Sequence, residues 1–248
     1  MYIEFCLPVK NEEIILAANA KRLEDFINQL GLTDWSIVII VNGSDDSSSQ
    51  IAASLESLSP EHFKAVTFSE GGKGYALKQY FKMSRADVLV FMDIDLAVSL
   101  NNLPNLLDPV VSGSCDLVIG SRLLPESDTS RSFWRSFSSK IYNSLSRIIL
   151  DHNYSDLQCG FKAMARNKYN LVEPYLLDRK WFYDTELVLV AKKIGLNISE
   201  IPVAWQENRY DKRKSKVSVL RDAWSFIKNL LKLKSRITGI KRWGNDKD

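Results

Sequence analysis

Short apolar runs rich in Val, Ile and Leu alternate with longer segments in which apolar residues recur every three or four positions. The runs at residues 2–9 (YIEFCLPV), 35–44 (WSIVIIVNGS), 64–70 (KAVTFSE), 86–95 (ADVLVFMDID) and 115–123 (CDLVIGSRL) have the length and composition of strands, and several are apolar enough to be buried on both faces. Between them the 3.6-residue period predicts helices at 12–31, with Gly31 near its C-cap, at 47–59, at 74–84 and at 99–112. Strands interleaved with helices mean a mostly parallel sheet covered on both faces. Beyond residue 123 the order changes. A long basic amphipathic helix is predicted over 130–150, then a segment at 159–166 (CGFKAMAR), a helix at 184–195 and a strand at 198–207. The pattern predicts one compact α/β domain over 1–215 and a basic helical tail over 216–243.

Composition adds bounds to that picture. The chain has 248 residues, 45% of them hydrophobic and 25% charged, which suits a globular protein with a sizeable core. Every hydrophobic run meets a charge well before the ~20 apolar residues that span a bilayer, so no membrane crossing is expected. The amino terminus reads at once as a strand and lacks a signal peptide's basic and apolar regions. Cys6, Cys115 and Cys159 are odd in number and widely spaced, which suggests neither a disulfide framework nor a zinc site and fits a reducing cytosol. Net charge is +3, yet residues 212–242 hold eleven Lys and Arg against one acid, Asp222. That asymmetry points to an anionic partner for the tail.

Polar sequences collect where strands end: PVKNEE after the first, NGSDDSSS after the second, EGGKG after the third and DID after the fourth. In an open α/β sheet ligands bind at the carboxyl ends of the strands, so these four loops are expected to meet at one site. Asp93 and Asp95, like charges one residue apart at the end of an apolar strand, are either a solvated terminus or an oxygen-ligand pair for Mg²⁺ or Mn²⁺. Gly71, Gly72 and Gly74 would let backbone approach a phosphate closely while Lys73 supplies a cation. No Walker A loop and no G-x-G-x-x-G fingerprint occurs. The tryptophans, Trp181 and Trp205 among them, are expected in the core, and His62 and His152, with no metal-like spacing, at the surface.

Taken in order, PVKNEE, NGSDDSS, GGKGYALKQ, DIDLA, GSRL, RSFWR, SDLQCGFKAMAR, KWFYDTEL, EIPVAWQE and KSKV resemble the family 2 glycosyltransferases, and most nearly the branch holding dolichyl-phosphate β-glucosyltransferase and dolichyl-phosphate mannose synthase. The resemblance covers about residues 3 to 220. It implies a GT-A fold, with a Rossmann-like, mostly parallel central sheet, and an inverting hexosyl transfer from a nucleotide sugar to a polyprenyl or dolichyl phosphate. UDP-glucose is favoured as donor, with GDP-mannose the other candidate. Carried over by position, Pro8, Asn11 and Glu12 would line the nucleoside pocket with Asn42 and Ser44. Lys73 would lie near the base or phosphates, Asp93 would face ribose or metal, and Asp95 would be the principal metal ligand. Arg122, Arg131 and Arg135 would hold donor and acceptor phosphates, a task suited to the planar guanidinium fork. Asp156 would be a base or an acceptor-orienting carboxylate, with Gln158 beside it. One departure stands out: the family's Asp-Asp-Gly-Ser is here Val41-Asn42-Gly43-Ser44.

A phosphate acceptor is already an anion, whereas a sugar hydroxyl would need a general base. Retention of SDLQCGFK and the arginines favours the lipid phosphate over a carbohydrate hydroxyl. The Asn42 change admits a third reading, a non-catalytic subunit that binds nucleotide or membrane, and the Asp93–Asp95 pair argues against it. Asp184 and Glu186 open a helix, where acids suit the dipole, and a sugar-binding role is the alternative. In the tail Val217, Leu220, Trp224, Ile227 and Leu231 recur at three- and four-residue steps between basic residues, the composition of a helix lying on an anionic membrane. The other reading is a helix docked on the domain. Nucleic acid is not expected, because no aromatic stacking surface interleaves the basic residues. The protein is thus expected in the cytoplasm, peripherally associated with the membrane's cytoplasmic face.

Overall fold

The computed structural model describes residues 1–130, 143–206 and 219–240. The first half builds the expected βα alternation: β1 (Ile3–Val9), α1 (Leu16–Gln29), β2 (Trp35–Asn42), α2 (Ser48–Leu58), β3 (Phe63–Phe68), α3 (Lys73–Met83) and β4 (Val88–Met92). A 3₁₀ turn at Leu100–Asn102 leads into α4 (Leu103–Val111), followed by β5 (Leu117–Ser121) and the two-residue β6 (Thr129–Ser130). Then come α5, described over 143–150, β7 (Phe161–Ala165), α6 (Arg166–Val172), α7 (Tyr183–Ile194), β8 (Ile198–Pro202), β9 (Trp205–Gln206) and α8 (Val219–Ile237).

Seven strands form the main sheet in the order β3-β2-β1-β4-β7-β5-β8, and β6 pairs separately with β9. All neighbours in the main sheet are parallel except β7, which runs antiparallel to both β4 and β5. That reversal positions the site. Phe161 at the start of β7 pairs with Met92 at the end of β4. Residues 155–160, which lead into β7, therefore arrive at the same edge as the loops leaving β1, β2, β4 and β5.

Side chains alternate across the sheet as strand geometry requires. Phe5, Leu7, Val9, Ile37, Ile39 and Val41 face the layer that includes α1 and α4, while Cys6, Val38 and Ile40 face α3, α7 and α8. On the latter side Leu230 and Leu233 of α8 are fully buried, each contributing roughly 2 kcal/mol through apolar burial. The tail helix is therefore docked over its described C-terminal half, while Lys228, Leu231, Lys232 and Lys234 stay exposed. Among the described residues no helix is long and apolar enough to cross a membrane.

Several expectations shift. β4 stops at Met92, so Asp93 and Asp95 lie in a turn rather than on a strand, with Leu96 at φ 48°. The apolar run at 198–207 is two strands, since Val203–Ala204 carries the chain from the main sheet to the β6–β9 ribbon. The short α6 carries no strong signal in its polar sequence RNKYNLV. His152 is buried, with Nε2 3.0 Å from Ser146 Oγ, and burial pushes its pKa down to about 4. Of the helix predicted over 130–150 only 143–150 is described, and it is helical; the proposed domain boundary at 215 lies outside the described residues.

Candidate active site

The first two loops are locked to each other by short polar side chains. Asn11, at φ 56°, donates its backbone N–H to Ser44 Oγ (3.1 Å) and accepts the Asp45 N–H on its own Oδ1 (2.9 Å). The Glu12 N–H reaches Ser48 Oγ at 3.0 Å, and the Glu12 side chain is buried. Pro8 sits inside β1, paired with Ile40. Asn42, expected to line the nucleoside pocket, is engaged within the protein. It is buried, donating Nδ2–H to the Val9 carbonyl (2.9 Å) and accepting the Gly72 N–H on Oδ1 (2.9 Å). One amide thus ties the ends of β1 and β2 to the glycine loop. A carboxylate could accept from Gly72 but could not donate to Val9, so these contacts give the Asn a structural reason.

Two glycines of the third loop make room for neighbouring backbone. Gly72, at φ 149°, and Gly74 allow close approach of the segment 178–180, since a Cβ on Gly72 would strike the Arg179 carbonyl and one on Gly74 would lie 2.7 Å from the Asp178 carbonyl. Two first-turn amides of α3 are satisfied by that segment: Gly74 N–H donates to the Lys180 carbonyl (3.2 Å) and Tyr75 N–H to the Arg179 carbonyl (3.0 Å).

Beneath the edge runs an alternating chain of buried charge. Lys73 Nζ lies 2.9 Å from Asp93 Oδ1 and 3.1 Å from Asp184 Oδ2; Asp184 Oδ1 lies 2.9 Å from Lys162 Nζ, which also donates to the Cys159 carbonyl. Burial alone would lower the Lys73 pKa, but the Asp184 and Asp93 carboxylates override it and hold the ammonium charged. Burial would likewise raise Asp184, yet Lys162 and Lys73 keep it below the usual carboxylate range. Lys73 itself is 6% exposed, whereas Asp93 is 44% exposed, so the chain surfaces at Asp93. Gly160 makes room there, because a Cβ at that position would run into the Asp93 carboxylate.

Asp93 and Asp95 line one small cavity with Arg122, Gly160 and Trp205. Its volume of about 20 Å³ suits a single ion or water. Among the described residues no group of three His, Cys, Asp or Glu side chains could hold a metal. Two carboxylates remain a fit for Mg²⁺ or Mn²⁺, because such an ion commonly takes one or two protein carboxylates and completes its shell with phosphate oxygens and water.

Arg122 and Asp156 form a bidentate pair, Nε to Oδ2 at 2.6 Å and Nη2 to Oδ1 at 2.9 Å. Burial would lower the Arg122 pKa, but the Asp156 charge raises it. Glu200 of β8 holds the loop in place by accepting the Ser155 and Asp156 N–H groups at 2.8 and 3.2 Å, and Gln158 N–H donates to Asp156 Oδ1 at 3.2 Å. Asp156 thus fixes the orientation of Arg122. Arg131 and Arg135 lie outside the described residues.

Sequence missed one residue of the site, misjudged another and left two with an open choice of role. Lys162, fully buried between Phe161 and Ala163, had a legible signal: a lysine inside an apolar strand needs a buried partner. Asp184 and Glu186 are both buried and ion-paired, an arrangement that fits the structural one of their two possible roles. Trp181 is 64% exposed, not core, and its ring lies 5.7 Å from Lys73 Nζ.

A sheet with one reversed strand, loops converging at its carboxyl edge and an acidic pair after the central strand define the GT-A class of nucleotide-sugar enzymes. The sequence profile of Glycosyl transferase family 2 matches residues 4–171, and the chain belongs to that family of glycosyltransferases. It is 32% identical over 224 residues to Glycosyltransferase AglD of Haloferax volcanii, covering 89% of this chain and 35% of that relative's length. It is 26% identical to the dolichyl-phosphate beta-glucosyltransferase of Dictyostelium discoideum, covering 95% of this chain and 78% of the relative. Polyprenol monophosphomannose synthase of Mycolicibacterium smegmatis is 28% identical over 75% of this chain and 72% of its own length. Among solved structures, mannosyl-3-phosphoglycerate synthase from Rubrobacter xylanophilus superposes with a TM-score of 0.65 at 18% identity, over 95% of this chain and 73% of that one. Glucosyl-3-phosphoglycerate synthase from Mycobacterium tuberculosis, a complex with Mn²⁺, UDP and glucosyl-3-phosphoglycerate, does so at 0.63 and 17%, over 98% and 82%. At these identities the two structures establish the fold.

Proposed function

We propose that the enzyme transfers a hexose, glucose in preference, from a UDP-sugar to a polyprenyl or dolichyl phosphate with inversion, GDP-mannose being the second donor to test. The observation that carries this reading is the occupation of Asp156. Both of its oxygens accept from Arg122, which suits an acceptor that needs no proton removed. A lipid phosphate oxygen attacks the anomeric carbon on the face opposite the leaving group; the new C–O bond forms as the bond to the diphosphate breaks, and the nucleoside diphosphate departs with the electron pair. No proton moves. Asp93 and Asp95 would hold Mg²⁺ or Mn²⁺, which supplies positive charge for the departing diphosphate. Lys73 balances Asp93 from below. Arg122, aligned by Asp156, offers its cation to the acceptor phosphate, joined in this reading by Arg131 and Arg135, with Gln158 beside them. Pro8, Asn11, Glu12 and Ser44 belong to the nucleoside side of the same edge.

The dolichyl-phosphate glucosyltransferase and polyprenol mannose synthase relatives support both donor and acceptor class. The bilayer surface, on its cytoplasmic face, is the proposed workplace, supported by the outward Lys228, Leu231, Lys232 and Lys234 of α8 and by three unpaired cysteines. The test is a panel of UDP-glucose, GDP-mannose and UDP-N-acetylglucosamine with a polyprenyl phosphate and Mn²⁺, reading lipid-linked sugar. UDP-glucose should give the most product, and no product from any donor would refute the proposal.

A further inference from the structure

The docked tail helix reaches the donor site through one buried carboxylate. Glu186 of α7 is fully buried, and its two oxygens serve different elements. Oε1 accepts from Arg236 Nη2 of α8 at 2.6 Å, and the same nitrogen donates to the Tyr175 carbonyl at 2.6 Å. Oε2 accepts the backbone N–H groups of Leu177 and Asp178 at 2.8 and 2.7 Å. From there the loop runs to Arg179 and Lys180, whose carbonyls cap the first turn of α3, and to Trp181, whose ring lies over Lys73. Lys78 of α3 ties the start of the loop by donating to the Leu176 carbonyl at 2.5 Å. Arg236 to Glu186 to the 177–181 loop to Lys73 to Asp93 is thus an unbroken line of named contacts.

We propose that α8 is a working part of the nucleoside-diphosphate site: Arg236 is a positioning residue that, through Glu186, holds the 177–181 loop against α3 and so fixes Lys73 and Trp181 at the donor edge. Glu186 is the hinge of the argument because a buried carboxylate deprived of its cation is strongly unfavourable. Without Arg236 the carboxylate must find water, and the way to water is through the loop whose amides it holds. The proposal rests on the donor reading above only for the identity of the ligand.

Two readouts test it on the full chain, tryptic cleavage after Arg179 and Lys180 followed by mass spectrometry, and UDP affinity in the presence of Mn²⁺ by calorimetry. Arg236→Met should speed cleavage at those two bonds and weaken UDP about tenfold, part of the cost of breaking the buried pair being carried through the loop to the donor edge. The double variant Glu186→Gln/Arg236→Met should return both readouts to near wild type, since the neutral amide oxygen still accepts from Leu177 and Asp178 and needs no counter-ion. Lys232→Met, the same charge change on the exposed side of α8, should alter neither. Unchanged cleavage and UDP affinity in Arg236→Met would overturn the proposal, as would a double variant as impaired as the single. Should Arg236→Met fail to fold, the double variant alone decides: near-wild-type readouts support the line of contacts and impaired ones reject it. If the wild type binds no UDP, the donor reading fails, whereas the cleavage arm still judges the loop.

Discussion

Asp184 holds two lysines apart and together at once. Lys73 and Lys162 both point at it from within the protein, and with Asp93 the four groups sum to zero charge. Replacing Asp184 by Asn leaves one excess positive charge in the interior. The Asp184→Asn variant should lose about 3 kcal/mol of stability, the usual scale for breaking a buried pair, and urea denaturation would measure it. A loss under 1 kcal/mol would mean the charges are better hydrated than their burial indicates. This part of the site was half legible in the sequence. Asp93, Asp95 and Lys73 announce themselves in loops, where charge near strand ends has few structural reasons to exist. Lys162 hides inside CGFKAMA, and its partner Asp184 comes 22 residues later, a pairing set by the fold rather than by spacing.

At the scale of elements, the reversed β7 and the docked α8 do the most to shape the edge. Periodicity marks each as strand or helix, but it says nothing about partner or direction, because strand pairing is a property of distant segments. The basic period of α8 fitted both docking and membrane contact; the docked face is now identified, and the opposite face is the one a membrane would meet. Leu230 and Leu233 face the core, while Lys228, Lys232 and Lys234 face outward. Changing those three lysines to Glu should weaken sedimentation with vesicles of phosphatidylcholine and phosphatidylserine, most clearly at low salt, where screening is weakest. Equal sedimentation of variant and wild type would remove α8 from the membrane contact without disturbing its docking.

For the whole molecule, acid stability has an identifiable source. His152 is buried and neutral, with a pKa pushed down to about 4 from its ordinary 6.5. Below pH 6.5 the unfolded chain takes up a proton that the folded chain refuses, so stability present above that pH is lost as pH falls towards 4. The loss from this residue is at most about 3 kcal/mol, and a His152→Gln variant should show a flatter urea midpoint between pH 7 and 4.5. Asp184, held below the usual carboxylate range, adds a further loss only at lower pH, once it is protonated.

The same whole-molecule view joins the sheet edge, the acidic pair and the arginine–aspartate clamp into the proposed mechanism: the Asp93–Asp95 turn would seat the cation that lets a nucleoside diphosphate leave as its hexose passes to a lipid phosphate. The most direct measurement is formation of lipid-linked glucose from UDP-glucose and a polyprenyl phosphate, with Mn²⁺ or with EDTA, by the wild type and by Asp95→Ala. Product should form only in the wild type with metal, while both proteins melt at similar temperatures. Product from Asp95→Ala at the wild-type rate, or from the wild type equally in EDTA, would contradict the claim.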